Sequence, residues 1–592
     1  MAQITCAHAG ATNPLTILNL SKENDAILND DTDNNIVELF INDVIDINPD
    51  RFIEEYRDII GHISETVNSL EWWSTHTASK NRFTSTVPTL LHQIDACSIT
   101  IKKELHDLII YRPDCAIVPT LQDMISNSDS KSSLSQLYCH IKPRISRLWS
   151  LFRHIRAAIM MSYRIMILRV FYKKPSFKNR SLKTYALKTF FYNSTINEKS
   201  NFSYHDPMYG RLPEYLRQRG NLIIITNIIG KYKQCIAKIN SNNEYCIYPI
   251  EYWLTFTTIV SRLLFIIKTR LEYDIPNDIV YRGLDVSKIF KTQIYIKYND
   301  ISLTQYLYYD MMKGCISSLK IDQYIHTYEN NPWEKMSIAA IRDSSNDTKI
   351  MGYQHAVIPQ SSVNVFNSRS ELKLMPLPDK ILCVGAVPLE IINKYSVAQS
   401  GLLDVSCGLR YEYLDSLTVK KRNNIQNILI IPEGVISVAP MIDYVMKELA
   451  SNLEYTMNIR FHPALPYKSI NSHLCYDLKK IKNLSISEAP LKDDLMNADI
   501  CIYWGSTVSL EALSMGIPAI HYCLNTVLSY DPLFQCNSNK WTIKNNMSLI
   551  DILKHIESIR DEEYSAEAHH AKAYIKHYFY SVTNNNMSKF IL

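Results

Sequence analysis

Cysteine pairing is the first thing this sequence lacks. Its 13 cysteines are scattered singly, with no CxxC and no Cys/His set at zinc-ligand spacing. That excludes a disulfide framework and a zinc module, and predicts reduced thiols in a cytosolic compartment. An excess of one charge is also missing: 63 Lys and Arg against 59 Asp and Glu leave a formal charge of +4 over 592 residues. Composition therefore gives no reason to expect nucleic acid as a partner. The opening MAQITCAHAG has no charged segment followed by an apolar one, so it does not read as a secretory signal, and the expected localisation is cytoplasmic. No repeat of solenoid period occurs.

Uncharged apolar runs of spanning length are absent as well. Residues 151–172 are interrupted by Arg153, Arg156, Arg164 and Arg169, and residues 250–268 by Glu251 and Arg262. Neither reaches the ~18 residues of a membrane span. Arginines on one face with Met, Ile and Leu on the other serve a buried amphipathic helix, the simpler reading, or an interfacial helix on an anionic membrane. The first stretch suits a membrane better, and peripheral contact with the inner face of the cytoplasmic membrane is the matching expectation.

With 46% hydrophobic and 21% charged residues, the chain has the composition of an ordinary globular protein, and its length predicts two or three domains. Residues 1–140 form a mixed, helical N-terminal region, with a strand at Leu15 to Leu20, an acidic NDDTDNN loop, a helix from Arg51 to Leu70 and a polar linker near 126–136. Residues 141–181 form an amphipathic helical connector. Over 182–370, a helix closed by Gly220 is followed at once by the β-branched run NLIIITNI, the mark of an αβ unit in a parallel sheet. A proline-containing join, LMPLPDK, precedes a second αβ domain over 377–560, with strands KILCVG, NILIIPE, MNIRFHP, LSISE, DICIYWG and IPAIHYC. A C-terminal helix and tail occupy 561–592. The predicted class is α/β: two Rossmann-like domains facing a cleft.

Ligands of open α/β sheets bind beyond the carboxyl ends of the strands. Three such ends in the second domain carry suitable residues. Glu433 and Gly434 follow the first, the glycine letting backbone pass close to a ligand. Arg460, His462 and Pro463 follow the second; an arginine clamps phosphate oxygens and a histidine donates to phosphate or protonates a leaving group. Gly505, Ser506 and Thr507 lead from the third into a helix whose first turn offers hydroxyls and free N–H groups to an anion, with Glu511 one turn on, placed for a ribose.

RFHP followed by NADICIYWGSTVSLEALSMGIPAI resembles the donor domain of bacterial GT-B glycosyltransferases of surface polysaccharides, in particular capsular sialyltransferases, Kdo transferases and CDP-glycerol glycerophosphotransferases. The resemblance covers about 180 residues. It implies that His462 and Pro463, with Ser506 and Thr507, hold the donor phosphate, and that a nucleotide sugar is the co-substrate, with no other cofactor. The paired glutamates of many retaining enzymes are absent: the positions that would partner Glu511 hold Tyr503 and Ala519. No DxD motif ends a strand, so no metal site is expected. An inverting, metal-independent transfer follows.

In the first domain, YENNPWEK from Tyr328 and GYQH from Gly352 resemble the acceptor-domain edge of surface-carbohydrate biosynthesis proteins. An inverting transfer needs a base beside the acceptor hydroxyl. Glu329 is the first choice, with Asp206 of YHDPMYGRLP as base, acceptor ligand or helix cap, and His355 as a cleft contact. Glu334 reads as a cap, Trp72–Trp73 with Ser79–Arg82 as an aromatic and basic shelf or as buried tryptophans, and Arg410 as a phosphate contact or a surface ion pair. The expected acceptor is a lipid-linked or surface glycan of capsule or O-antigen type. Alternatives are a CDP-glycerol-type polyol-phosphate transferase, a nucleotide-sugar epimerase and a non-catalytic nucleotide-sugar-binding component of an assembly complex.

Overall fold

A computed structural model of the protein describes residues 3–7, 15–20, 36–40, 44–45, 48–102, 107–111, 114–126, 132–134, 136–175, 182–197, 203–397, 401–524, 528–544 and 546–592. The acidic loop NDDTDNN and part of the polar linker lie outside them. The N-terminal region is a five-stranded mixed sheet with helices. Its strands β1 (Gln3–Ala7), β2 (Leu15–Asn19), β3 (Ile36–Phe40), β4 (Asp107–Tyr111) and β5 (Ser132–Leu134) run in the order β3-β2-β4-β1-β5. The helix expected from Arg51 starts at Pro49, because the Asn48 side chain accepts from Arg51 N at 3.1 Å and Pro49 needs no donor there.

Two parallel sheets follow. The first contains β6 (Thr184–Phe191), β7 (Asn221–Ile228), β8 (Cys246–Pro249), β9 (Gln323–Thr327), β10 (Lys349–Gln354), β11 (Lys380–Cys383) and β12 (Leu403–Val405) in the order β8-β7-β6-β9-β10-β11-β12. The second contains β13 (Asn427–Ile431), β14 (Thr456–Ile459), β15 (Leu484–Ile486), β16 (Ile500–Tyr503), β17 (Ala519–Tyr522) and β18 (Lys540–Ile543) in the order β15-β14-β13-β16-β17-β18. In each sheet two strands run outward from the first on one side and the remainder on the other. That is the Rossmann order, and the point of reversal is where ligands bind. The reversal lies between β6 and β9 in one sheet and between β13 and β16 in the other. Nearly every residue of β6, β7, β9 and β16 is buried, as strands covered by helices on both faces must be. The chain is thus α/β with two Rossmann-like domains across a cleft, the GT-B arrangement.

The expected boundary at 377 is displaced. KILC pairs with β10, Met351 opposite Lys380, so it extends the first sheet, and β12 follows it there. The second domain begins near Asn427, with its own core around Ile428, Met441, Val445, Ile500 and Leu553.

Six helices matter below: α1 (Gln136–Phe171), α2 (Phe256–Lys268), α3 (Leu303–Ser318), α4 (Pro332–Ser344), α5 (Val508–Ser514) and α6 (Asp561–Tyr578). Helix α6 leaves the second domain and the tail returns to the first, where Tyr580 N donates to Val384 O and Gly408 N donates to Tyr580 O, both at 2.9 Å. The Tyr411 ring stacks on Phe579 at 4.0 Å. The domains are therefore joined twice, through residues 406–426 and through the residues after Tyr578. The N-terminal region is fastened to the first domain by a fully buried ion pair, Lys80 with Glu371. The tryptophans of the proposed shelf are core: Trp72 and Trp73 are 0% and 2% exposed and donate to Ser64 and Asn68. The shelf does not form.

Candidate functional site

The three strand ends of the second domain are neighbours. β13 lies between β14 and β16, with Ile430 opposite Ile459 and Ile431 opposite Tyr503, so residues 432–434, 460–463 and 504–507 emerge side by side at the reversal point. Two glycines permit this crowding. A Cβ on Gly434 would stand 2.6 Å from His462 Nδ1, and one on Gly505 would stand 3.0 Å from Glu433 Oε2 and 3.2 Å from Tyr530 Cβ. Both close approaches need the missing side chain.

His462 and Pro463 are exposed. His462 Nδ1 accepts from Ala464 N at 3.1 Å, so the neutral ring carries its proton on Nε2, free to donate. Ser506 is 7% exposed, and its oxygen accepts from Val508 N at 3.4 Å. Thr507 makes no side-chain capping bond and lies beside the Tyr411 hydroxyl. Helix α5 has only seven residues, so its dipole adds little to what the local hydroxyls and N–H groups can offer an anion.

Arg460 does not point at this cluster as a free clamp. Its Nη1 donates to Asp494 Oδ2 at 2.8 Å and to Ala489 O at 2.6 Å, and Asp494 is 4% exposed. Asp494 lies in the first turn of the helix Leu491–Asn497, and its carboxylate also accepts from Asn458 and Ser487, making it the anchor of the β14 end. A second cation, Arg410, lies within electrostatic reach of both domains. It is exposed on the segment joining the domains, and its charge acts on His355 of the first domain and on Glu511 of the second. Burial pushes the Glu511 carboxyl above the ordinary carboxylate range, opposed by a hydrogen bond from Tyr413 and by Arg410 and Arg460. Its hydrogen-bond partner is Tyr413, on the segment that joins the domains.

Across the cleft, Glu329 follows β9 at the reversal point of the first sheet. Asn330 adopts φ +57°, which an asparagine tolerates, and turns the chain sharply into α4. Its Nδ2 donates to Asn364 O at 2.6 Å, while Asn364 Nδ2 donates to Glu329 O at 2.7 Å. Glu334, 1% exposed, accepts the Glu329 amide at 3.0 and 3.1 Å, and burial holds its carboxyl well above the usual range. It shapes the loop and is closed off from solvent. The Glu329 side chain is 38% exposed, accepts from Asn331 Nδ2 at 3.0 Å and lies 3.8 Å from His355 Nε2. His355 is 8% exposed with no hydrogen-bond partner on Nδ1, and burial lowers its pKa against the pull of Glu329.

Asp206 is not available as a base. It is 1% exposed, accepts from Tyr204 Oη at 2.7 Å, Met208 N at 2.8 Å and Tyr209 N at 2.9 Å, and organises its own turn. The YHDPMYG pattern carries this as an Asx turn.

One cleft residue was visible from sequence only as part of a shelf. Arg82 comes from the N-terminal region, donates to Ser361 Oγ at 2.7 Å, lies 4.8 Å from the Tyr530 ring centre and feels both Glu329 and Glu433. Its charge therefore acts on a carboxylate of each domain. A separate cavity of about 530 Å³ opens at the amino ends of β13, β16 and β17, away from this cluster, and is lined by Lys420, Lys421, Arg422 and Arg560; Lys420 donates to Ala498 O, and Arg422 to the Ile556, Glu557 and Ile559 carbonyls and to Asp561.

No family model and no curated protein matches the chain. Among solved structures it is similar to the S. aureus MnaA-UDP co-structure (10% identity, 69% of this chain and 95% of that one, TM-score 0.40), to Acinetobacter baumannii MurG (11%, 69% and 98%, 0.36) and to TarM (10%, 69% and 98%, 0.39). The strand orders above, not these likenesses, define the fold.

Proposed function

We propose that the protein is an inverting, metal-independent glycosyltransferase that moves a sugar from a nucleotide sugar to a lipid-linked or surface glycan, working at the cytoplasmic side of a membrane. The observation that carries this is the meeting of two reversal points across one cleft: Glu433, Gly434, His462, Ser506 and Thr507 on one wall, Glu329 and His355 on the other, and Arg82 and Arg410 between them. One wall offers donors for a phosphate and the other a partly exposed carboxylate, which is the pairing an in-line displacement requires.

In the proposed reaction Glu329 takes the proton of the acceptor hydroxyl as that oxygen attacks the anomeric carbon from the face opposite the phosphate. The bond from carbon to phosphate oxygen breaks, and its electron pair leaves on the phosphate. His462 Nε2–H, the Ser506 and Thr507 groups and the Arg410 guanidinium meet the growing charge, while Glu511 and Tyr413 hold the ribose. His355 is a positioning residue that keeps the Glu329 carboxylate turned to the cleft. Arg460 acts through Asp494 by fixing the loop that carries His462.

Product analysis tests this reading. With donor and glycan acceptor, the expected products are free nucleotide and an extended glycan of inverted anomeric configuration. A nucleotide-linked sugar isomer as the only product, or a retained configuration, would overturn it.

A further inference from the structure

Helix α1 is 36 residues long, about 54 Å at 1.5 Å per residue. It covers its own domain with Ile165, Ile167 and Leu168 and leaves the other face outside. On that face Leu148, Trp149, Phe152, Ile159, Tyr163 and Val170 are 66%, 65%, 58%, 65%, 55% and 67% exposed. Together with Ile155 and Met166, which are also exposed, all of these but Trp149 recur every three or four residues and draw one stripe along the helix, with Trp149 beside it. A second stripe, Phe256, Val260 and Leu264, lies on α2. Helices α1 and α2 pack on each other and both rest on α3, so the two stripes lie side by side on the outside of the first domain. More than half of the large apolar side chains exposed among the described residues sit on these two helices. A monomeric soluble surface rarely leaves so much together uncovered.

Charge identifies what covers it. From Gln136 to Pro175 the sequence contains no Asp or Glu, and α2 contains none either. Arg144, Arg153, Arg156, Arg169, Lys173 and Lys174 are exposed among or beside the apolar residues. An apolar stripe with cations along it and no carboxylate fits the headgroup boundary of an anionic bilayer, where arginine stems lie along the acyl surface and the guanidinium groups reach phosphates. No helix of the described residues is long and apolar enough to cross a membrane. We infer that this face lies flat on an anionic lipid bilayer. Helix α2 begins a few residues beyond the carboxyl end of β8, the end of the sheet that faces the cleft. Docking would therefore bring the acceptor wall close to the headgroups; that last step rests on the transferase reading, whereas the docking itself does not.

Co-sedimentation of the full chain with vesicles tests it. Vesicles with about a third phosphatidylglycerol should bind the protein, pure phosphatidylcholine should bind it at least about tenfold more weakly, and raising salt from about 0.1 to about 0.5 M should release it several-fold. Trp149→Asp with Phe152→Asp, and separately Arg153→Glu with Arg156→Glu, should each cut binding about tenfold or more. All four side chains are exposed, so the variants should keep the wild-type Tm and any thermal shift with nucleotide sugars. Three results would overturn the inference: no binding to anionic vesicles, equal binding to both lipids, or binding that both variants retain. A lipid-free dimer that Trp149→Asp/Phe152→Asp dissociates would assign the face to a second copy of the chain and overturn it too. Failure here with nucleotide-sugar binding intact leaves the enzymatic reading standing, and the reverse outcome leaves the surface standing.

Discussion

Arg82 donates to Ser361 Oγ at 2.7 Å, a bond from the N-terminal region to the loop that follows β10. Through it the N-terminal region becomes part of the cleft. Arg82→Ala should lower kcat/KM by about 10- to 100-fold, the loss of one charge-assisted contact of roughly 1.5–3 kcal/mol. Arg82→Lys should rescue little, because a lysine lacks the flat fork that lies over Tyr530. Steady-state kinetics on both variants check this.

Glu329 and Asp206 should separate cleanly. Glu329→Gln should cut kcat about 100-fold or more with donor binding and Tm preserved, since the side chain is partly exposed and is the base in the proposed reaction. Asp206→Ala should instead lower stability by roughly 2–4 kcal/mol, because three donors lose their buried acceptor. Denaturant melts alongside kinetics distinguish the two.

Gly434→Ala should weaken donor binding without unfolding the domain. The added Cβ, 2.6 Å from His462 Nδ1, pushes the imidazole off its bond to Ala464. Donor Kd should rise about tenfold, and His462→Ala should abolish the further effect of Gly434→Ala in a double-mutant cycle.

Acid should destabilise the fold through buried histidines. Burial lowers His92, His154 and His326 from 6.5 to about 4. The unfolded chain therefore binds more protons than the folded one between about pH 4 and 6.5, so stability is fully present above pH 6.5 and is lost as pH falls toward 4. Each ring accounts for at most roughly 3 kcal/mol of that loss. His326→Phe, a substitution between the stacked Tyr324 ring and the edge-on Trp333 ring, should flatten the acid limb of the Tm profile.

Most of the second domain could be read from its residues, because parallel strands covered on both faces show as short β-branched runs. NILII, MNI, ICIY and AIHY each prove to be strands. KWTI was missed: it is an edge strand of four residues with only Ile543 fully buried. KILC was seen as a strand but given to the wrong sheet, since a sequence marks a strand without naming its neighbour. The same limit applies at the site. Arg460 is held by Asp494, 34 residues away, and Arg82 reaches the cleft from a different region of the chain. Asp206 has the composition of a base and the hydrogen bonds of a turn, a difference only geometry resolves. The amphipathic stretch at 151–172 read more simply as buried, yet one face of it is open to solvent.

The reversal point of the second sheet is proposed to hold an activated nucleotide donor. A thermal-shift titration with CMP-, UDP-, GDP- and CDP-linked compounds tests it most directly, because a ligand at about 100 times its Kd adds about 2.7 kcal/mol to the folded state. One nucleotide class should raise Tm in a saturable way, and His462→Ala and Ser506→Ala should each reduce the shift while leaving the unliganded Tm in place. No shift with any of the four classes, or a shift that both substitutions leave intact, would contradict the account.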